Sequence, residues 1–341
     1  MNQEQKSLKI GAAVIVCAIV LRLAGNGVFR PLLQTLERPE VASFLLYMET
    51  GRIAKVYQVP EVTEVWLKES PAPELPQNEE IESEPASFSP EDAACLTLHT
   101  TCDYEPDLET LLLQPLDWNL RSEDPTVLIL HTHTTESYTK MPGEDYEESA
   151  DYRTLNPDHN LLAVGDVLAE SLEKGGVSVL HDRTLHDYPS YNGSYEHARA
   201  SIEAYLSQYP SIQLVLDLHR DAADREDGSQ LTTKAVVDGK ESAQLMLVVG
   251  TDAGGLYHPN WRENLSLALK LQVMLEQKYP GLCRDISLRS SRFNQDESPG
   301  ALLVEVGAAG DTLQEALVAA EALAQGILTL AGGSVTEDSA G

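Results

Sequence analysis

At 341 residues, 42% of them apolar, the chain has material for one large core or two smaller ones. Its 54 acidic residues against 24 basic ones give a formal net charge of −30, which repels phosphate backbones and argues against nucleic acid as a partner. Four cysteines with no CxxC pair exclude a disulfide scaffold, and Cys95 and Cys102 either pair in an oxidising compartment or stay free thiols.

The N-terminus opens with MNQEQKSLK, followed by twelve apolar or glycine residues from Ile10 to Leu21. Twelve is short of the roughly 20 residues that cross a bilayer. Reading on through a snorkelling Arg22 to Phe29 supplies the length. No clean A-x-A site follows, which favours an uncleaved anchor over a cleaved signal. Lys6 and Lys9 place the short N-terminal segment in the cytoplasm and export the rest. The expected organisation is a cytoplasmic N-terminus and transmembrane anchor over 1–29, then a membrane-proximal helical stalk over 30–58. An acidic linker rich in Pro, Glu and Ser, disordered and extended, is expected over 59–105. A folded domain over 106–333 and a disordered tail over 334–341 complete the chain.

Within that domain the texture is α/β. VLIL reads as a buried strand, HNLLAVGDVLAESLEKGG as a helix closed by Gly175–Gly176, and VSVLHD as a second strand. SYEHARASIEAYLSQYP is a helix and IQLVLDLH a strand, with AVV and QLMLVVG adding two more. ENLSLALKLQVMLEQKYPG is a long helix, ALLVEVG a buried strand, and TLQEALVAAEALAQGILTLAG a closing helix. Alternation of this kind implies a mainly parallel central sheet with helices on both faces.

In such sheets functional groups gather beyond the carboxyl ends of the strands. VLIL runs into His131, His133 and Glu136; LVLDL runs into His219, Arg220 and Asp221; ALLV runs into Glu305. A single histidine after a strand is more often a loop residue than a ligand, and HxxE alone is a weak signal. Glu305 is sharper, because a carboxylate in a buried strand costs several kcal/mol unless it is paired or bound to metal. Imidazoles and carboxylates converging on one edge suit a catalytic zinc, which takes three protein ligands and an open position. A further carboxylate would then act as general base. His181 and His186 could line the cleft, while His99, His197 and His258 read as surface groups. There is no GxSxG elbow and no GK[ST] phosphate loop, and Cys283 has no evident catalytic partner.

The blocks HTHTTESY, VGDVLAESLEKGGVSVLHDRTLHDYPSYNGSYEHAR, LDLHRDA and FNQDESPGALLVEVGAAGDTLQEA resemble the stage II sporulation protein P family over roughly 126–330. That family is similar to zinc-dependent N-acetylmuramoyl-L-alanine amidases. The resemblance implies hydrolysis of the amide between N-acetylmuramic acid and L-alanine of peptidoglycan during forespore engulfment, with an additional endopeptidase activity on cross-links. It also implies stage II sporulation proteins D and M as partners, and a place in the cell membrane with the catalytic domain facing the septal wall. Carried over by position, it makes His133, Glu136 and His219 the zinc ligands, with His131 in reserve, and makes Glu305 catalytic. The amidases place their ligand glutamate about a dozen residues after the first histidine. Here Asp158 and His159 stand near that point, and Glu136 is the substitute. Arg220 is expected to stabilise the oxyanion or bind a stem-peptide carboxylate, unless it pairs with Asp217 or Asp221. Tyr191 and Tyr195 either line a sugar groove or pack in the core.

Overall fold

Val127–Leu130, four fully buried apolar residues, form a strand with room on neither face for water. In the computed structural model, residues 86–332 are described apart from Asp117 and 224–228. The expected anchor, the stalk, the linker as far as residue 85 and the tail lie outside the described residues.

The described chain begins with α1 (Pro90–Ala94), β1 (Leu98–Thr100) and α2 (Leu108–Leu112). Residues 86–105 were expected in the linker. Instead Ser89 and Asp92 form a capping box on α1, and β1 pairs in register with a later strand. There follow β2 (Val127–Leu130), α3 (Leu161–Lys174), β3 (Val179–His181), α4 (Ser194–Gln208) and β4 (Leu214–Asp221). A small hairpin, β5 (Ala235–Val237) and β6 (Lys240–Ser242), precedes β7 (Leu245–Gly250) and α5 (Trp261–Lys278). The chain closes through β8 (Ile286–Arg289), a 3-10 turn at Gln295–Glu297, β9 (Ala301–Ala308) and α6 (Leu313–Leu330).

Seven strands form one sheet in the order β1-β8-β7-β9-β4-β2-β3. Five of its six neighbouring pairs are parallel, and only β7 against β9 is antiparallel. The sheet is therefore two parallel blocks of opposite direction, a mostly parallel α/β architecture. β2, β4 and β9 point their carboxyl ends the same way, which gathers their polar endings on one edge.

Strand alternation assigns the two faces. Val127, Ile129, Leu214, Leu216, Leu218, Leu302 and Val304 join α3, α5 and α6 in the main core. Leu128, Leu130 and Val215 face the other way, against Ala198, Ile202 and Tyr205 of α4. Asp217, His219 and Glu305 share the parity of Val215 and Leu303, so they lie on the α4 side of the sheet. α6 is long and apolar enough to cross a membrane by composition, but most of it is buried, and it packs against α3 and α5 as a core helix.

Candidate active site

Three strand ends build the site. Beyond Leu130 the chain leaves the sheet through a turn over 132–135, closed by the Glu136 amide donating to the His133 carbonyl at 3.1 Å. That turn throws His133 and Glu136 back over the sheet edge. On β4, His219 stands in register with Glu305 of β9, which itself faces Met246 of β7. The register slips between His219 and Asp221, a bulge next to Gly307, whose φ of +72° an L side chain rarely adopts. A Cβ there would also lie 2.9 Å from Asp311 Oδ2.

His133 and His219 meet edge to face, ring centroids 5.1 Å apart. His133 Nε2 lies 3.2 Å from Tyr191 Oη, and the Tyr191 ring stacks on the imidazole at 4.5 Å. Burial, helped by His219, drives the His133 pKa down to about 3, so the ring is neutral. In the tautomer with its proton on Nε2 the ring donates to Tyr191 and keeps a free lone pair on Nδ1, a buried atom with no partner among the described residues.

His219 lies between carboxylates. Its Nε2 is 3.0 Å from Asp217 Oδ1, while Nδ1 is 3.9 Å from Glu136 Oε2. The Nε2 contact is off the hydrogen-bond direction, so it acts as an ion pair. Burial opposes a proton on His219, but Asp217, Glu136 and Glu305 outweigh it and raise the imidazole to about 9. Asp217 itself accepts from the Thr132 amide at 2.7 Å and hydroxyl at 2.6 Å. Burial works to raise its carboxyl, yet His219 and Thr132 hold it below the usual range. Glu136 accepts from Arg153 at 3.1 Å on Oε1 and from the Arg220 amide at 3.2 Å on Oε2. Burial lifts Glu305 to about 8 against the pull of His219, and its Oε2 has no partner among the described residues.

This donor set fits a zinc ion in type: two imidazoles, each with one nitrogen engaged by an orienting partner, and a carboxylate, with the proton that the surrounding carboxylates hold on His219 released to make room for the cation. Two ligands about 2.1 Å from a tetrahedral zinc sit about 3.4 Å apart, and the 3.9 Å between His219 Nδ1 and Glu136 Oε2 is slightly wider. Among the described residues no three His, Cys, Asp or Glu side chains are drawn in closely enough to enclose an ion as they stand. The partnerless His133 Nδ1 and Glu305 Oε2 are the groups an ion and its water would satisfy.

His131 is not beside the other two. It continues the parity of Val127 and Ile129 and enters the opposite face, where Nδ1 meets the Leu218 carbonyl at 3.3 Å and Nε2 meets His181 Nε2 at 2.8 Å. The strand stops at Leu130, so the i, i+2 spacing of the two histidines no longer means a shared face. Arg220 pairs with neither aspartate: Nε donates to the Ser137 carbonyl and Nη2 to that of Tyr152, clamping the loop that carries Glu136. Asp221 instead pairs with Arg284. Tyr191 is half-exposed at the site, and Tyr195 packs edge-on to His133. His186 is buried on Ser201 and the His131 carbonyl. His258, expected at the surface, is 1% exposed. Asp158 and His159 lie away from this cluster, His159 stacking on Tyr146. Cys95, Cys102 and Cys283 are free thiols. The sequence offered Asp217 only as a partner for Arg220 and left out Arg153 and Asp187; Arg153 bridges Glu136 to Asp187, and only Asp217, two residues before His219 on the same strand, left a local signal.

Fold and site define an α/β protein with a buried imidazole–carboxylate centre at the carboxyl edge of its sheet. The family model "Stage II sporulation protein P (SpoIIP)" matches residues 37–328, and the chain belongs to that family. It is 32% identical over 212 residues to the stage II sporulation protein P of Bacillus subtilis (strain 168), a match covering 58% of this chain. The chain spans about half (49%) of that relative's length. Solved structures it is similar to include an N-acetylmuramoyl-L-alanine amidase of Clostridium difficile 630 (20% identity, TM-score 0.36, covering 61% of this chain and 96% of that one). Another is the N-acetylmuramoyl-L-alanine amidase AmiC2 of Nostoc punctiforme (15% identity, TM-score 0.35, covering 60% and 95%).

Proposed function

We propose that the protein is a membrane-anchored, zinc-dependent peptidoglycan hydrolase of sporulation that cleaves the amide joining N-acetylmuramic acid to L-alanine. The observation that carries the reading is the convergence of His133, Glu136 and His219 on a buried edge where Glu305 keeps an unpartnered oxygen. His133, Glu136 and His219 would hold the zinc. When bound, zinc supplies Lewis-acid polarisation and a lowered pKa for a water molecule. A bound cation would favour the ionised form of Glu305; as carboxylate it accepts the proton of the attacking water and delivers it to the leaving amine nitrogen, so the products are a free carboxylic acid on the muramic acid and an α-amino group on L-alanine. Asp217 and Tyr191 orient the two imidazoles, and Arg153 and the Arg220 amide orient Glu136.

In this reading the enzyme acts outside the cytoplasm, facing the septal wall, with stage II sporulation proteins D and M as partners. A further cut in the peptide cross-links belongs to the same proposal. The test is digestion of purified sacculi by the full chain, with products read by mass spectrometry. Free L-alanine amino termini and unsubstituted muramic acid are expected, and both vanish with chelator. Cut cross-links alone would overturn the amidase assignment; equal release with and without chelator would overturn zinc.

A further inference from the structure

Amide hydrolysis needs a hydrogen-bond donor aimed at the carbonyl oxygen as it gains charge. Around this centre most side-chain donors are already committed. Arg153 gives Nη1 to Asp187 and Thr135 and Nη2 to Glu136. Arg220 holds the Ser137 and Tyr152 carbonyls. Tyr191 Oη accepts from His133 Nε2 and keeps its own proton, but the residue is 57% exposed, so that proton meets solvent.

Tyr195 differs. It is the second residue of α4, on the helix that covers the site's face of the sheet. Its ring lies nearly parallel to that of His219 at 6.5 Å and edge-on to that of His133 at 5.6 Å. Phe293 packs at 6.0 Å, and the Tyr195 carbonyl is held by Asn294 at 2.8 Å, so ring and backbone are both fixed. Its hydroxyl hydrogen-bonds to no described residue. A phenol keeps its proton at neutral pH, so the hydroxyl is available as a donor.

We propose that Tyr195 is a catalytic residue whose hydroxyl donates to the carbonyl oxygen of the bound amide as that oxygen becomes an oxyanion. No bond to the phenol forms or breaks; the proton stays on the tyrosine while the water's proton travels through Glu305. The proposal rests on the amide-hydrolysis reading and assigns to Tyr195 the part expected of Arg220.

The experiment uses the full chain on solubilised peptidoglycan fragments. Tyr195→Phe, which keeps the ring packed, is expected to lower kcat about 100-fold with KM little changed. In a Glu305→Gln background, the same substitution should leave binding of intact sacculi unaltered. Placing 4-aminophenylalanine at position 195 restores an N–H donor on the same ring and should recover at least about tenfold of the lost kcat. A Tyr195→Phe enzyme with unchanged kcat overturns the proposal. So does a loss confined to KM or to sacculus binding, or no recovery with the amino analogue. If the wild-type chain releases no free L-alanine amino termini, the amidase reading has failed at its own test, and this proposal falls with it.

Discussion

At the scale of single residues, Asp217 has the largest consequence for the proposed centre. It shares a strand face with His219 and is buried, and it is tied down by both hydrogen-bonding groups of Thr132, so its carboxylate is a fixed point from which the imidazole is aimed. Asp217→Asn keeps the volume and one acceptor for the Thr132 amide, offers its NH2 to the Thr132 hydroxyl instead of accepting from it, and removes the charge facing Nε2. Zinc affinity, measured by competition with a chromophoric chelator, is expected to fall 10–100-fold; an unchanged affinity would show that Asp217 has no part in orienting the ligand. The sequence made His219 and Glu305 legible because apolar strands that end in ionisable groups are costly to bury without a purpose. It could not show Arg153, which arrives through a loop 17 residues from Glu136, nor that Tyr191, named only as a groove or core residue, meets His133 from 58 residues away. His131 misled for a physical reason: alternation predicts a shared face only while the strand continues, and this one ends one residue earlier.

At the scale of elements, α3 is shaped by what lies beneath it. Gly165 sits inside that helix, where alanine would ordinarily stabilise by about 1 kcal/mol. Here a Cβ would come 2.4 Å from His181 Nε2 and 2.8 Å from His131 Nε2. The pair it would strike is anchored, since His181 Nδ1 is bonded to Asp166 and His131 to the Leu218 carbonyl. Gly165→Ala is therefore expected to destabilise by about 1–3 kcal/mol, read as a lower urea midpoint with an unchanged slope. A gain in stability would mean the histidine pair yields and helix propensity wins. The long helices and the strands β4 and β9 were readable because their apolar patterns are long and their stops clear, and β2 because its four residues are an unbroken apolar run. β1, β6 and β8 are three or four residues each, too short for a period, and the antiparallel join of β7 to β9 depends on which neighbour a strand finds across the sheet. Neither is written in local pattern.

At the scale of the whole molecule, the proposed centre is a reservoir of stability that an ion would release. Glu305 Oε2 and His133 Nδ1 are buried without partners among the described residues, and Asp217, Glu136 and Glu305 all bear on the one imidazole of His219. Folding brings these groups together, so the unfolded chain offers no comparable site, and a ligand of the folded state alone raises its stability by mass action. With free zinc at a thousand times its dissociation constant the gain is about 4 kcal/mol, which for a folded unit of this size moves the melting temperature by on the order of 10 °C. The expected result is a rise in Tm on adding zinc to the full chain, reversed by chelator. Magnesium should not reproduce it, because that ion prefers oxygen ligands and keeps its waters. His219→Ala removes a proposed ligand and should abolish the shift while leaving the strands on either side paired. A shift that survives in His219→Ala would place the zinc somewhere other than this edge of the sheet.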